Sequence, residues 1–435
     1  KNINHLFLEI NYMIDIKLLR ENTQQIREAA KAKNVEIDFT RILELDKLVR
    51  SLENNIQQIA TQKNEASKRI PQASESDRAK LIEEMRQIDR KGDELKAELT
   101  PLSEELDELL YKIPNPALPD VKIAKNESEN EIIKTIGEIP SFNFTPKDHL
   151  ELGDILGIID TQRAANVSGA RFNYFIGDGV LLEFALIQFA LATLSEYGFT
   201  PVITPHMIKP QAMRAMGYLE HGGHDEIYYL PKDNLYLIGT AEQSVGAMHM
   251  DEILDGTKLP IRYVGFSPCY RREAGSYGKD TRGILRVHQF DKIEMFTFST
   301  PEDSDAEHSL ILEIEERLMQ SLKIPYQLVK MVTGDLGLPA ARKYDIEAWM
   351  PAQDAYRETH SCSSCTDFQA RRLNTRYKDD SGKTHFVHTL NGTGFAIGRT
   401  IITILENFQQ EDGSVIIPEV LRPFMGGRDR ILPKS

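Results

Sequence analysis

The sequence has 435 residues, 41% hydrophobic and 27% charged, with a formal net charge of −14; this excludes collagenous, low-complexity and wholly disordered chains and suggests two or three domains at about 150 residues each. The acidic total argues against a basic coat for indiscriminate nucleic-acid binding, DNA included, and leaves room for a local basic site. Three cysteines are too few for a disulfide framework and point to a reducing, cytoplasmic compartment, while the most apolar stretch, Val180 to Leu194, is broken by Glu183 and Gln188, so no membrane span is expected.

The first residues carry no basic-then-apolar leader pattern, and Met13-Ile-Asp-Ile-Lys reads as the more natural start, with residues 1–12 an extension. From Ile42 apolar residues recur in steps of three and four through Leu45, Val49, Leu52, Ile56, Ile59, Lys63, Ala66 and Ile70. After a polar break at Pro71, a second seam runs through Leu81, Met85, Ile88, Gly92, Leu95, Leu99, Leu102, Leu106, Leu109 and Ile113. Two such seams joined by a short turn predict an antiparallel two-helix coiled-coil arm about 45 Å long. A spacer or an oligomerisation device is one reading of it. Another follows from its defects, since Lys63 and Gly92 interrupt the seam and residues 63–96 hold nine Lys/Arg against eight Asp/Glu in an otherwise acidic chain. A looser, more basic distal half suits contact with an anion. Prolines 114, 116 and 119 and a polar run then predict a linker over 114–140. From 141 to 435 strands and helices intermingle, predicting one α+β domain.

Within that domain, Val180 to Tyr197 reads as a helix apolar on more than one face, covered either by the core or by a partner subunit. Two strand-like segments from Cys269 to Glu294 flank a loop with Gly275, Gly278, Lys279, Arg282 and Gly283. Alternation would place Arg271 with Glu273, and Arg286, His288, Phe290, Lys292 and Glu294, on single strand faces. Residues 271–292 carry six basic and three acidic side chains, so a face of this kind asks for an anionic ligand, with an ordinary solvated ion-paired face as the alternative. His360, Cys362 and Cys365 have a zinc-like spacing but lack a second ligand pair, whereas Glu358 and Ser361 offer the hard oxygens that suit Mg²⁺ bound with phosphates. His221-Gly-Gly-His224 reads as a glycine turn. Finally Asn391-Gly-Thr-Gly-Phe-Ala-Ile-Gly-Arg399 opens an apolar helix whose first turn carries an arginine, a place for an anion or for a salt bridge.

Taken together, Thr240-Ala-Glu242, Tyr270-Arg-Arg-Glu273 with Arg286-Val-His-Gln-Phe-Asp-Lys-Ile-Glu294, Glu358-Thr-His-Ser361, Asp367-Phe-Gln-Ala-Arg-Arg372, Gly398-Arg-Thr and Pro418-Glu-Val-Leu-Arg-Pro, in that order and behind a helical arm, resemble bacterial-type seryl-tRNA synthetases, a class II aminoacyl-tRNA synthetase family. The resemblance covers the chain from Met13 onward. It implies a tRNA-binding arm domain over 13–113 and a class II catalytic domain over 141–435 on an antiparallel β-sheet, forming a homodimer through the Val180 helix and the strand ending at Pro205. It implies activation of L-serine by ATP with Mg²⁺, then transfer to the 3′ end of tRNA(Ser) and of tRNA(Sec).

Carried over by motif, Arg271 would hold the α-phosphate and the serine carboxylate, and Glu273 the adenine end of ATP. Arg272, Thr359 and His360 would add to the ATP site, and Phe290 and Arg399 would sandwich the base. Glu358 and Ser361 would hold Mg²⁺; Thr240, Ala241 and Glu242 would surround the serine ammonium, and Glu294 with Thr393 its hydroxyl. Arg271, Glu358 and Arg399 are the expected catalytic residues. The chain departs from the commoner pattern at Gly239, where relatives show proline, at Gln243-Ser244, where they show Val-Pro, and at Thr393, where serine is frequent. A catalytically inactive tRNA-binding paralogue and an amino acid:carrier protein ligase are the competing readings.

Overall fold

The computed structural model describes residues 16–274 and 282–434; residues 1–12 and the loop residues Gly275, Gly278 and Lys279 lie outside the described residues. The chain divides into two compact units, with the boundary at Pro114/Asn115.

The amino-terminal unit is built on helices α1 (Phe39–Arg69) and α2 (Glu75–Tyr111). Asp38 caps α1 by accepting from Arg41 N, and Ser74 caps α2 by accepting from Asp77 N, which satisfies amides that the first turn leaves orphaned. Ile42, Leu45, Val49, Leu106, Leu110 and Ile113 pack with Ile16, Leu19, Ile26 and Phe39 into the base of the arm. Here the seam shifts from the expected Leu109, which is half-buried, to Leu110, which is fully buried. Further out the arm thins to partial burial, and the two seam defects turn out to serve the hairpin itself. Lys63 pairs with Asp89 across the helices at 2.5 Å, and a Cβ on Gly92 would meet Ile59 at 3.2 Å, so glycine lets the helices come close.

The second unit contains an eight-stranded sheet: β1 (Glu131–Ile136), β2 (Thr200–Ile203), β3 (Ile261–Tyr270), β4 (Gln289–Ser299), β5 (Tyr326–Lys330), β6 (Arg342–Met350), β7 (Ala355–Thr366) and β8 (His388–Ala396). Its spatial order is β1-β5-β6-β7-β8-β4-β3-β2. Every pair is antiparallel except β2 with β3, so the expected antiparallel sheet carries one parallel edge. The core lies between this sheet and helices α3 (His149–Leu156), α4 (Asp178–Glu196), α6 (Ser304–Leu322) and α8 (Ile397–Asn407); short helix α5 (Ala241–Gly246) packs on β3 and β4, and short helix α7 (Phe368–Leu373) on β8.

The segment 114–140, expected as a linker, is instead docked and supplies an edge strand. The Asn115 amide donates to Pro339 O and Cys365 O at 2.8 Å, Asp120 pairs with Lys330 and Arg342, and β1 pairs with β5. Four of the six β1 positions are exposed, which is why the strand reads as a polar run. Helix α4 is long and apolar enough to cross a membrane by length and composition. Leu182, Ala185, Leu186, Ala190 and Leu194 bury one side of it in the core, while Leu181 and Phe184 remain 44% and 54% exposed.

Candidate active site

Two irregularities in the sheet decide which side chains share the cleft face. In a regular strand residues three apart point to opposite faces, so Glu358 and Ser361 on β7 should diverge. They do not, because the β6–β7 register skips Thr359: Ile346 faces His360 while Glu347 faces Glu358. The extra residue restores Glu358 and Ser361 to one face, a bulge re-aiming a side chain. On β8 the register skips Gly394, so Ile293 faces Phe395 and Glu294 faces Thr393. A Cβ on Gly394 would come within 2.7 Å of Ile293, so glycine is required there. A polar row results across five strands. Asp345 faces Ser361, Ser361 N donates to Thr393 Oγ1 at 3.3 Å, Thr393 faces Glu294, and Glu294 faces Gly265. A Cβ on Gly265 would lie 2.8 Å from that of Ala241, so its absence seats α5 directly on the sheet. Thr240, which caps α5, then donates to Glu294 Oε2 at 3.1 Å.

Each acid of this pocket is held. Glu242 is buried and accepts from Tyr218 Oη at 2.6 Å and from Gln369 Nε2 at 3.0 Å; Thr389 fixes that amide by donating to Gln369 Oε1 at 2.7 Å. Glu294 is 1% exposed and ion-pairs with Lys292. Burial pushes its carboxyl up to about 7, the Lys292 charge working against that rise and the Glu242 charge with it. Beneath the row, burial drives the fully enclosed Glu315 carboxyl well up, aided by the Glu294 and Asp345 charges. At Gly239 the backbone N–H donates to Gln243 Oε1 at 2.8 Å inside the protein. Proline has no such N–H; glutamine at 243 therefore supplies by hydrogen bond the turn rigidity that proline gives covalently.

A cavity of about 450 Å³ runs from Thr240 and Gln243 to the other end of the cleft, where Arg271 and Arg286 stand against Glu226 and Glu273. Strand β3 ends at Tyr270 and β4 begins at Gln289, so Arg271, Glu273, Arg286 and His288 are placed by the strand ends and not by alternation as expected; Phe290, Lys292 and Glu294 do share a β4 face. Arg271 N donates to His288 O and its Nε to Gly239 O at 3.1 Å, with the guanidinium 5.2 Å over the Phe290 ring. The Phe290 ring is thus covered by Arg271, while Arg399 turns to Glu358, donating to its carbonyl at 2.8 Å and facing its carboxylate at 3.4 Å. Glu273, in the left-handed region with φ 51°, pairs with Arg286 at 3.5 Å. Arg272 is turned to Ile227 O and stacks on Tyr228.

Glu358 stands half-exposed on the sheet face. Desolvation would raise its carboxyl, but the Arg399, Lys343, Arg271 and Lys292 charges hold it well below the usual range. An ionised carboxylate with the Ser361 side chain on the same face fits a hard cation. Thr359 and His360 do not face the cleft, contrary to expectation. Both are buried; His360 Nε2 donates to Gly394 O at 3.0 Å and its Nδ1 meets Thr359 Oγ1 at 2.9 Å. Burial lowers His360 to about 3, so it stays neutral and locks the two bulges together. Cys362 and Cys365 are buried thiols, and no cluster of three metal-ligating side chains occurs among the described residues. Tyr218, Gln369 and Lys343 join the pocket without having been expected there from the sequence; for Lys343 the period-two run Lys343, Asp345, Glu347 on β6 is the available signal.

An antiparallel sheet whose adjacent strands carry an arginine at one end and a carboxylate row at the centre is the architecture of a class II aminoacyl-tRNA synthetase, and the family model for the tRNA synthetase class II core domain (G, H, P, S and T) matches residues 228–408. The model for the seryl-tRNA synthetase N-terminal domain matches residues 13–117. The chain is 46% identical over 425 residues to the serine--tRNA ligase of Streptomyces coelicolor, covering 97% of this chain and 99% of that one, and 45% identical to serine--tRNA ligase 1 of Streptomyces avermitilis with the same coverage. The crystal structure of seryl-tRNA synthetase from Pyrococcus horikoshii complexed with ATP superposes with a TM-score of 0.87 at 41% identity, over 97% of this chain and all of that one. This chain belongs to the seryl-tRNA synthetase family.

Two outcomes are expected from this geometry. Gln243→Ala leaves the Gly239 N–H buried without its partner, at a cost of about 1–3 kcal/mol, and should raise the serine KM about tenfold in ATP–pyrophosphate exchange with the ATP KM little changed. An unaltered serine KM would show that the turn needs no such brace. Folded Glu294 keeps its proton to about 7 against 4.5 for an exposed glutamate; its contribution to stability is therefore full below that range and is lost as pH rises through it, by on the order of 3 kcal/mol at most. Glu294→Gln should flatten the fall in thermal unfolding midpoint of the ligand-free protein between about pH 5 and about pH 8.

Proposed function

We propose that the protein is a serine--tRNA ligase, working in the cytoplasm as a homodimer, which joins L-serine to ATP as seryl-adenylate and passes the seryl group to tRNA(Ser). The observation that carries this reading is the row Ser361, Thr393, Glu294 and Thr240, contiguous with Glu242 and Arg271 at the Thr240 end and with Glu358 and Arg399 at the Ser361 end. Amino acid activation joins two anions, a carboxylate and the α-phosphate, so it needs fixed positive charge and an enforced line of attack and no protein nucleophile. Arg271 supplies that charge beside the serine pocket. Arg399 supplies it at the opposite wall, and Glu358 with Ser361 would hold Mg²⁺, which neutralises phosphate charge when bound.

Glu242, fixed by two donors, receives the serine ammonium, and Glu294 with Thr393 receives the hydroxyl. Alanine leaves those buried groups unpaired, and threonine has a methyl too many for a pocket floored by packed strands. Phe290 offers a ring face for the adenine, with Arg271 and Arg399 as the cations around it. The intact cation and carboxylate set disfavours the inactive-paralogue reading, and the long arm disfavours the carrier-protein reading. The arm grips tRNA by shape and by the basic side chains of its distal half. Two molecules associate through the exposed Leu181 and Phe184 of α4 and Ile203 of β2, which is 82% exposed.

Purified protein should exchange pyrophosphate into ATP with serine and with no other amino acid; exchange without an amino acid, or preference for another, overturns the reading. Replacing the distal arm between Gln57 and Leu95 by a short turn should leave exchange intact and cut tRNA charging by about a hundredfold or more. Phe184→Asp should convert a dimer to a monomer in sedimentation, and a monomeric parent protein would refute the interface.

A further inference from the structure

Helix α8 carries Arg399 in its first turn and Glu406 in its last. Glu406 is fully buried, and its carboxylate gathers three contacts: Oε1 accepts the His149 backbone N–H at 3.2 Å and faces His149 Nδ1 at 3.1 Å, while Oε2 accepts Ala352 N at 3.1 Å. On the far side of the same imidazole, Ile284 N donates to His149 Nε2 at 3.2 Å. A backbone amide can only donate, so Nε2 must be the bare nitrogen and the ring proton sits on Nδ1, against the carboxylate. The contact is tight: a Cβ on Gly283 would lie 2.1 Å from Nε2. Arg399 Nε reaches the next carbonyl, Leu285 O, at 3.4 Å. Two residues beyond Ile284 stands Arg286, paired with Glu273 on the wall of the cleft.

The geometry points to His149 and Glu406 as positioning residues for ATP. Glu406 fixes the imidazole tautomer, the imidazole fixes the Ile284 amide, and the limb 282–288 is thereby held with Arg286 against Glu273. Both ends of α8 grip this limb, Arg399 directly and Glu406 through His149. The acids of the serine pocket hang on a separate set, Thr240, Gln369, Lys292 and the two bulges, and the limb meets that end of the cleft at its last residue, where Arg271 N donates to His288 O. This inference rests on the reading that the Arg286–Glu273 end of the cleft receives ATP.

The test is ATP–pyrophosphate exchange by the full-length protein with ATP and serine varied separately. Asparagine at 149 keeps an amide at the Nδ1 position but is too short to reach Ile284, whereas glutamine places an acceptor where Nε2 was. His149→Asn should raise the ATP KM about tenfold, the worth of one hydrogen bond at about 1.4 kcal/mol, and leave the serine KM within about twofold; His149→Gln should recover most of the loss. Arg286→Ala serves as the control for the site itself. If it leaves the ATP KM unchanged, the placement of ATP is wrong. If it raises that KM while His149→Asn does not, or if His149→Asn and His149→Gln behave alike, or if both KM values rise together with a lowered unfolding midpoint, His149 is merely structural and the inference fails.

Discussion

The constraint on which the site depends is strand parity. A sheet presents alternate side chains to opposite faces, and a cleft built across five strands works only when each strand offers the right half of its residues. In this protein two extra residues, Thr359 on β7 and Gly394 on β8, reset that parity where the side chains of the cleft begin. With a regular register Glu358 would share no face with Ser361. The bulges lie beside one another, and the neutral His360 ties the carbonyl of one to the hydroxyl of the other. A buried histidine next to a cleft invites a role in chemistry; this one keeps the chemistry's geometry.

Electrostatics follow from that arrangement. Five carboxyl groups, Glu242, Glu294, Glu315, Asp345 and Glu358, gather on or under one face, against Lys292, Lys343, Arg271 and Arg399. Enclosure decides which acids stay neutral: Glu315, fully buried, holds its proton, while Glu358, open to the cleft and ringed by cations, gives it up. One face thus carries the carboxyl groups of Glu242 and Glu294 with the Thr393 hydroxyl along the row, and the Arg271 and Arg399 guanidinium groups at its two ends. The net charge of −14 averages this with acidic surface such as Glu302, Asp303, Asp305 and Glu313, and so conceals two basic places.

Much of this was legible in the residues. The heptad steps from Ile42 to Ile113 fixed the hairpin because apolar periodicity and burial are the same fact seen twice, and the motifs around Arg271, Glu358 and Arg399 marked the cleft. The edge strand Glu131–Ile136 was not legible, since an edge strand exposed on four of six positions lacks the apolar alternation that reveals a strand. Nor were Tyr218 and Gln369, whose side chains reach Glu242 from segments 24 and 127 residues away; contacts at such separation leave no local pattern.

The sequence by itself determined the ingredients: a two-helix arm, an α+β body, and a set of arginines, carboxylates and glycines in a fixed order. It determined them because helix periodicity and residue chemistry are local properties. Only the tertiary structure decided which of those residues face the cleft. It turned His360 and Thr359 inward, aligned Glu358 with Ser361 through a bulge, let Gln243 brace a turn that lacks proline, and set Glu406 behind His149. Register, bulges and the closing of distant hydrogen bonds are relations between strands and helices, and no single stretch of chain contains them.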